Sequence, residues 1–269
     1  KTVADSFKGA GYVTGLFGKW HNGSQWPYHP LARGFDTFWG YTSGHWGEYF
    51  DAPLEHNGVM KTSKGYIVDV LTDKALQFIE RNQSKPFLCF VPFTTPHSPW
   101  SAPASDWARF KDKPLSQTAT NAQAEKFDET RCALAMVENQ DRNVGRIKQA
   151  LPPRVRYVAV VKANAYGHGM PEVATRLLQA GVDCFAVANV GEAARLREIG
   201  HDADILLLSP SLPGEMPRAV GLDLDVTLNS VAEAEALERC AASAGRKVRV
   251  HVKVDTGMGR AGVWHTEAR

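Results

Sequence analysis

The sequence contains no apolar run near the roughly 20 residues that a spanning helix needs, so no transmembrane segment is predicted. Its opening, KTVADSF, has no initiator methionine, no basic region and no apolar stretch. No signal peptide is therefore expected, and the opening is expected to be the interior of a longer sequence. Cysteine is sparse. Cys89, Cys132, Cys184 and Cys240 lie far apart and form no CxxC or Cys/His cluster, which argues against a disulfide framework or a metal site. A net charge of +2 is too small to predict nucleic acid or an anionic membrane as partner. What is present is ordinary: 43% hydrophobic and 22% charged residues, a composition that speaks against disorder. At roughly 150 residues per domain, the length suggests one or two domains.

The two halves follow different patterns. Residues 1–110 are rich in aromatics, Gly and Pro, and hold Trp20, Trp26, Trp39, Trp46, Trp100 and Trp107. Regular periodicity is scarce there. A helix is predicted from Gly65 to Arg81, with Ile67, Val70, Leu71, Ala75, Phe78 and Ile79 on one stripe. KPFLCFVPF then reads as a buried strand and TTPHSPWSAP as a loop. Residues 112–123 are polar and irregular. Residues 124–151 read as one long helix, with Phe127, Cys132, Leu134, Ala135, Val137 and Val144 among its apolar positions.

From Arg156 onward, short apolar runs alternate with helical patterns. The runs are 157–161, 184–188, 204–208, 222–227 and 248–254. Asn189 with Glu192, and Ser230 with Glu233, fit N-caps followed by an acid at N3. Gly181 and Gly200 fall where helix C-caps belong. This alternation predicts parallel strands joined by right-handed crossovers. Five such strands suit either an open doubly wound sheet or part of a (β/α)8 barrel.

The run VAVV ends in Lys162, followed by Ala-Asn-Ala-Tyr-Gly-His-Gly. In parallel α/β folds the carboxyl ends of strands hold the chemistry. One reading of Lys162 is a side chain that snorkels to solvent. The other is a nucleophilic lysine able to join a carbonyl, such as that of pyridoxal phosphate. Tyr166 is placed to offer a phosphate contact, and Gly167 and Gly169 permit close backbone approach.

AVVKANAYGHG resembles the cofactor-attachment motif of alanine racemases. GVDCFAVANVGEAARLREIG and VHVKVDTGMGRAG resemble later segments of the same family, in order, so that the resemblance covers residues 148–269. It implies the N-terminal part of a pyridoxal-phosphate barrel of fold type III, with about five βα units. Lys162 would carry the cofactor and act as one of two catalytic bases. Tyr166 would contact its phosphate and Arg260 its phenolic oxygen. Lys253 matches a lysine that orients that arginine. His168 is expected to be structural. The intact family is homodimeric and acts on a small amino acid. Its second base is a tyrosine of a C-terminal domain that the sequence does not contain.

GYVTGLFGKWHNG, RGFDTFWGY, PFTTPHSPW and ALAMVENQDRNVGRI resemble segments of type I sulfatases, so that this likeness covers residues 1–147. It implies an α/β fragment of the sulfatase/alkaline-phosphatase type acting on a sulfate ester. Such chemistry needs cationic and hydrogen-bonding groups around the transferring group. By resemblance Lys19 contacts the sulfate, His21 the nucleophile and His97 the sulfate or leaving group. Ser43 or His45 would line the pocket. The family's formylglycine motif, of CxPxR type, is absent. Calcium is expected for an intact sulfatase, but its usual Asp and Asn ligands are absent, and Asp36, Asp51 and Asp69 are not spaced to replace them.

The two patterns overlap at RNVGRIKQALPP, which puts a junction between Gly145 and Leu151, without a flexible linker. Domains of 1–147 and 148–269 are expected. Open strand edges and an uncovered core face would follow, and with them marginal stability or aggregation. Three functions stay open: a racemase-like cofactor protein, a sulfatase-derived hydrolase, and a catalytically inactive chimera. The racemase half suggests a cytoplasmic protein, the sulfatase half a periplasmic or secreted one.

Overall fold

The computed structural model describes residues 1–116, 126–152, 155–200, 202–255, 257–264 and 266–267. The chain divides into two units, Lys1–Pro152 and Pro153–Arg269. Among the described residues no helix is long and apolar enough to cross a membrane.

In the first unit, α1 (Val3–Gly9) begins at Thr2, whose hydroxyl accepts from the Asp5 N–H while the Asp5 carboxylate accepts from the Thr2 N–H. Five strands form one sheet: β1 (Val13–Lys19), β2 (Thr37–Tyr41), β3 (Pro53–His56), β4 (Val59–Thr62) and β5 (Phe87–Phe90), in the order β4-β3-β2-β1-β5. β1 pairs in parallel with both β2 and β5. β3 and β4 are antiparallel and turn at Asn57-Gly58, both at positive φ, as a type I′ hairpin requires. The sheet is more regular than the weak periodicity of this half predicts. KPFLCFVPF forms β5 but is not buried. It is the sheet edge, and Phe90 is 48% exposed.

α2 (Ile67–Asn82) lies within two residues of its predicted bounds, and the predicted stripe is buried. α3 (Ala104–Trp107) is short, and α4 (Phe127–Ala150) is the long predicted helix. Residues 117–125, the end of the predicted polar stretch and the first two residues of the predicted helix, lie outside the described residues. The inward side of α4 mixes apolar and polar residues, and of the predicted apolar positions Ala135 is fully buried, next to Met136. Phe127, Leu134 and Val137 are exposed, whereas Asn139 and Asn143 are fully buried. The reason is a polar network. The Asn139 and Asn143 amides donate to Asp69 Oδ1 at 3.3 and 2.7 Å, Asn139 also donates to Asp106 Oδ2 at 3.2 Å, and Arg142 clamps Asp106 with two bonds of 2.8 and 2.9 Å. A buried carboxylate is tolerable only when its oxygens are satisfied in this way.

The second unit runs β6 (Val158–Val160), α5 (Lys162–Tyr166), α6 (Met170–Gln179), β7 (Cys184–Val187), α7 (Val190–Glu198), β8 (Asp204–Leu207), α8 (Met216–Gly221), β9 (Val226–Leu228), α9 (Val231–Ser243), β10 (Val250–Val252), β11 (Val254–Asp255) and β12 (Val263–Trp264). β6, β7 and β8 pair in parallel and in chain order. β8 continues to β9 through a parallel bridge at Leu206–Asp225, and β9 pairs in parallel with β10. Spatial order therefore equals chain order over five strands. An open doubly wound sheet instead reverses its order at a switch point. The run 222–227 yields a strand only from Val226, because Leu222 ends α8 and Asp223 turns at positive φ. Phe185, Ile205, Leu207 and Val226 fill the core together with Met170, Leu196, Val220 and Leu237. The two end strands are open, as their position implies: Val158 and Val160 on β6, and Val250 and Val252 on β10, are exposed.

The α4 network contributes to the acid stability of the first unit, as does Asp36, whose carboxyl, despite some desolvation, is also lowered by Lys8 and Thr14. The Arg142 hydrogen bonds hold the Asp106 carboxyl below its ordinary range. A depressed carboxylate stabilises the fold above its unfolded pKa of about 3.9 and loses that contribution as pH falls through the folded value. Asp106→Ala should therefore cost about 2–3 kcal/mol near neutrality, the scale of hydrogen bonds to a charged group, with the deficit shrinking below about pH 4. Denaturant unfolding followed by tryptophan fluorescence reads this, since Trp264 alone of the tryptophans lies outside the first unit. An equal deficit at pH 7 and pH 3 would contradict it.

Candidate functional site

In the second unit, Lys162 follows β6 directly and is half-buried. The backbone after it is unusual. Ala163, Asn164, Ala165 and Tyr166 all have φ between 53° and 56°, so α5 is a left-handed turn built without glycine. Such a conformation costs roughly 1–2 kcal/mol per residue, so it persists only where neighbours hold it. They do so here. The Ala163 N–H donates to Glu192 Oε1 at 2.7 Å, the Met170 N–H to Asn164 Oδ1 at 3.0 Å, and the Ala165 N–H to the Val161 carbonyl at 2.9 Å. Ala165 is buried beneath the turn, while Tyr166 is 62% exposed on it.

Lys253 lies between β10 and β11. Its amide donates to the Leu228 carbonyl, and its Nζ donates to the Leu208 carbonyl at 3.0 Å, beyond the carboxyl end of β8. Arg260 is exposed on the loop after β11. That loop is organised by Asp255, whose Oδ1 accepts from the amides of Gly257 and Gly259 at 2.8 and 3.1 Å. Lys162 and Lys253 thus both emerge at carboxyl strand ends. Among the described residues, no hydrogen bond joins Lys162, Tyr166, Lys253 and Arg260 to one another. His168 is exposed just beyond the left-handed turn. Asp255 and Glu192 are site-organising residues that the sequence reading did not select. An acid two and four residues before a pair of glycines was the available signal for the first.

In the first unit, the predicted residues gather on three loops at the carboxyl ends of β1, β2 and β5. Lys19 ends β1, with its amide donating to the Pro92 carbonyl at 2.8 Å. His21 follows on the next loop. A Cβ on Gly44, at φ +78°, would lie 2.1 Å from the His21 ring, so the imidazole rests on that glycine. The next residue, His45, packs its ring on His97, centroid to centroid 4.5 Å. His97 sits on the loop after β5, where its carbonyl accepts from Tyr49 Oη at 2.5 Å and its Nδ1 lies 2.9 Å from the Ser98 carbonyl. Two residues earlier, Thr95 donates to Gln140 Oε1 of α4 at 2.5 Å. Ser43 donates to the His45 carbonyl. Burial pushes the Tyr41 phenol up to about 12 and raises that of Tyr49, so both stay neutral near pH 7. The structure thus gathers Lys19, His21, His45 and His97 on adjoining loops at one rim.

The three carboxylates weighed as calcium ligands are apart and occupied. Asp36 bonds Thr14 and Lys8, Asp51 accepts from the Gly65 amide, and Asp69 belongs to the α4 network. No group of three or more candidate metal ligands occurs among the described residues.

A family model for the sulfatase domain matches residues 1–160, and one for the alanine racemase N-terminal domain matches residues 136–269, so the two share 136–160. The alanine racemase of Geobacter sulfurreducens is 40% identical over 126 residues, 47% of this chain and 33% of that protein. The alanine racemase of Methylacidiphilum infernorum is 38% identical over 120 residues, 45% of this chain and 31% of that protein. The chain spans about a third of the length of these curated relatives. Among solved structures, Ps i-CgsB in complex with k-i-k-neocarrahexaose is 28% identical, covers 55% of this chain and 35% of its own, and has a TM-score of 0.47. The alanine racemase of Clostridium difficile 630 is 35% identical, covers 48% and 34%, and has a TM-score of 0.44.

Gly44 is a direct test of the imidazole arrangement. Gly44→Ala should displace the His21 ring and leave the His29–Glu55 pair, 2.8 Å apart with Glu55 on β3, in place. Histidine ring NMR should show His21 and His45 moving and His29 unchanged. A spectrum in which none moves would exclude the packing described.

Proposed function

The chain belongs to the sulfatase family through residues 1–160 and carries a stretch similar to the alanine racemase N-terminal domain over residues 136–269, and from that premise we propose a fusion of two enzyme-derived pieces. We place the junction between Gly145 and Leu151. We read the better-formed site as the cofactor lysine of the second piece, Lys162, on the first strand of a partial (β/α)8 barrel of about five βα units.

The observation that carries this reading is the clamped left-handed turn directly after Lys162. Stored backbone strain of this kind clusters at ligand sites, and it sits here at a carboxyl strand end. Pyridoxal phosphate, when bound, would supply a carbonyl for the lysine and an electron sink that acidifies the Cα of an amino acid. Lys162 would hold the cofactor and take or return a proton at that Cα. Tyr166 would donate its hydroxyl to the phosphate, and Arg260 would bond the phenolic oxygen with Lys253 behind it. The exposure of Tyr166 leaves its hydroxyl accessible. Racemisation of alanine by the whole protein is the corresponding activity, and a small amino acid the corresponding substrate.

The test is direct. Pyridoxal phosphate added to the protein should produce a visible absorption band that disappears in Lys162→Ala. Absence of the band, or its persistence in the variant, would sink the reading.

A second reading rests on the first unit. Lys19 and the imidazoles of His21, His45 and His97 gather where a sulfate ester would be held. We expect an aryl sulfate or inorganic sulfate to bind weakly in a Lys19-dependent way, without turnover, for want of the nucleophile motif in these residues. If neither pyridoxal phosphate nor sulfate raises the melting temperature, the chain is best described as a catalytically inactive chimera, because a ligand of the native state must stabilise it.

A further inference from the structure

The sequence carries two helix starts of the same design, Asn189…Glu192 on α7 and Ser230…Glu233 on α9. Both caps form: Asn189 Oδ1 accepts from the Glu192 amide at 2.9 Å and Ser230 Oγ from the Glu233 amide at 3.2 Å. In both, the glutamate reaches back past the cap to the preceding residue. Glu192 Oε2 accepts from the Ala188 N–H at 2.8 Å, and Glu233 Oε2 from the Asn229 N–H at 2.6 Å. The two then differ. Glu192 spends its second oxygen on another segment, accepting the Ala163 N–H at 2.7 Å.

Ala163 is the first residue of the left-handed turn and the neighbour of Lys162. Its amide is the one that leaves the strand, and a carboxylate is the strongest acceptor a side chain can offer it. The two oxygens of Glu192 thus tie the turn after β6 to the carboxyl end of β7 and to the start of α7 in one three-way junction. We infer that Glu192 is a positioning residue: it clamps the left-handed turn and so fixes the direction in which Lys162 leaves its strand. Glu233, with the same cap and no second partner of this kind among the described residues, is the internal control. The inference rests on the proposed cofactor role of Lys162 only for its functional consequence. The clamp itself stands on geometry.

The experiment compares Glu192→Ala, Glu192→Gln and Glu233→Ala in the full chain. Amide hydrogen exchange at Ala163 reads the clamp. Attachment of pyridoxal phosphate at Lys162, fixed by borohydride and followed by mass spectrometry, reads the consequence. Glu192→Ala should accelerate exchange at Ala163 about tenfold or more, the size of one lost charge-assisted bond, and slow attachment by a similar factor. Glu192→Gln keeps one acceptor oxygen for two amides and should fall between Glu192→Ala and the unaltered chain. Glu233→Ala should lower the melting temperature as Glu192→Ala does, yet change neither readout at residues 162–166. Unchanged exchange at Ala163 in Glu192→Ala, or equal effects of the Glu192 and Glu233 variants, would overturn the inference. Faster exchange in Glu192→Ala together with no attachment at Lys162 in the unaltered chain would uphold the clamp and defeat the cofactor reading.

Discussion

Parallel pairing constrains everything else in both units. A strand that pairs in parallel with its predecessor must be reached by a crossover, and each such strand then delivers its carboxyl end to the same rim. In the second unit this puts Lys162 and the Leu208 carbonyl that holds Lys253 at that rim, although 46 residues separate the two in sequence. In the first unit the parallel contacts of β1 with β2 and β5 bring the loops of His21, His45 and His97 side by side. Neither set of residues is close in sequence. The ladder hydrogen bonds assemble both.

The rim residues are then oriented by local chemistry rather than by further packing. Glycine is needed at Gly44 because an imidazole occupies the space of its Cβ. Near Lys162 the opposite holds. Alanine and asparagine are forced into the glycine region, and a carboxylate from the neighbouring helix offsets part of the cost. Strain held by a charged acceptor is a stiffer arrangement than a glycine turn, because releasing it breaks a specific bond. The lysine of the proposed cofactor site would benefit from that stiffness.

The sequence was most legible where one force dominated. The stripe of α2 and the apolar runs of β7 and β8 follow burial alone, and they appear where hydrophobic periodicity puts them. The helix caps at Asn189 and Ser230 follow local hydrogen bonding and are also correct. Legibility failed where two demands competed. β1 and β2 are interrupted by Gly15, Gly18 and Gly40, whose missing side chains leave room for the Phe17 ring and the Pro92 and Gly18 carbonyls, and this masks their strand pattern. The hairpin at Asn57-Gly58 did carry its own signal, unused. The apolar residues of α4 were an incomplete guide to its buried side, because Asn139 and Asn143 answer there to two carboxylates while Ala135 and Met136 answer to the hydrophobic effect. The left-handed turn after Lys162 had no sequence signal at all: its cause is Glu192, 30 residues away in sequence.

The same reasoning bears on where two ancestral patterns can meet. The first unit makes its last fully buried demand on α4 at Asn143, and from Val144 to Ala150 no residue of the helix is buried. Beyond Asn143 the helix still holds Arg146, which donates to Asn143 Oδ1 at 2.9 Å and to Asp73 Oδ1 of α2 at 2.5 Å, and its other demand is helix propensity. A join between Gly145 and Leu151, the position we propose, falls after the last fully buried residue of α4 and has to keep Arg146 or lose its bonds to Asn143 and Asp73. It also leaves the Arg142 clamp on Asp106 upstream and the strand of Lys162 downstream, so each unit keeps the polar contacts that shape its own rim. Both family patterns run through 136–160, a stretch that holds the buried Met136, Asn139 and Asn143 of α4 as well as β6, so the overlap is not confined to the solvent-facing end of that helix.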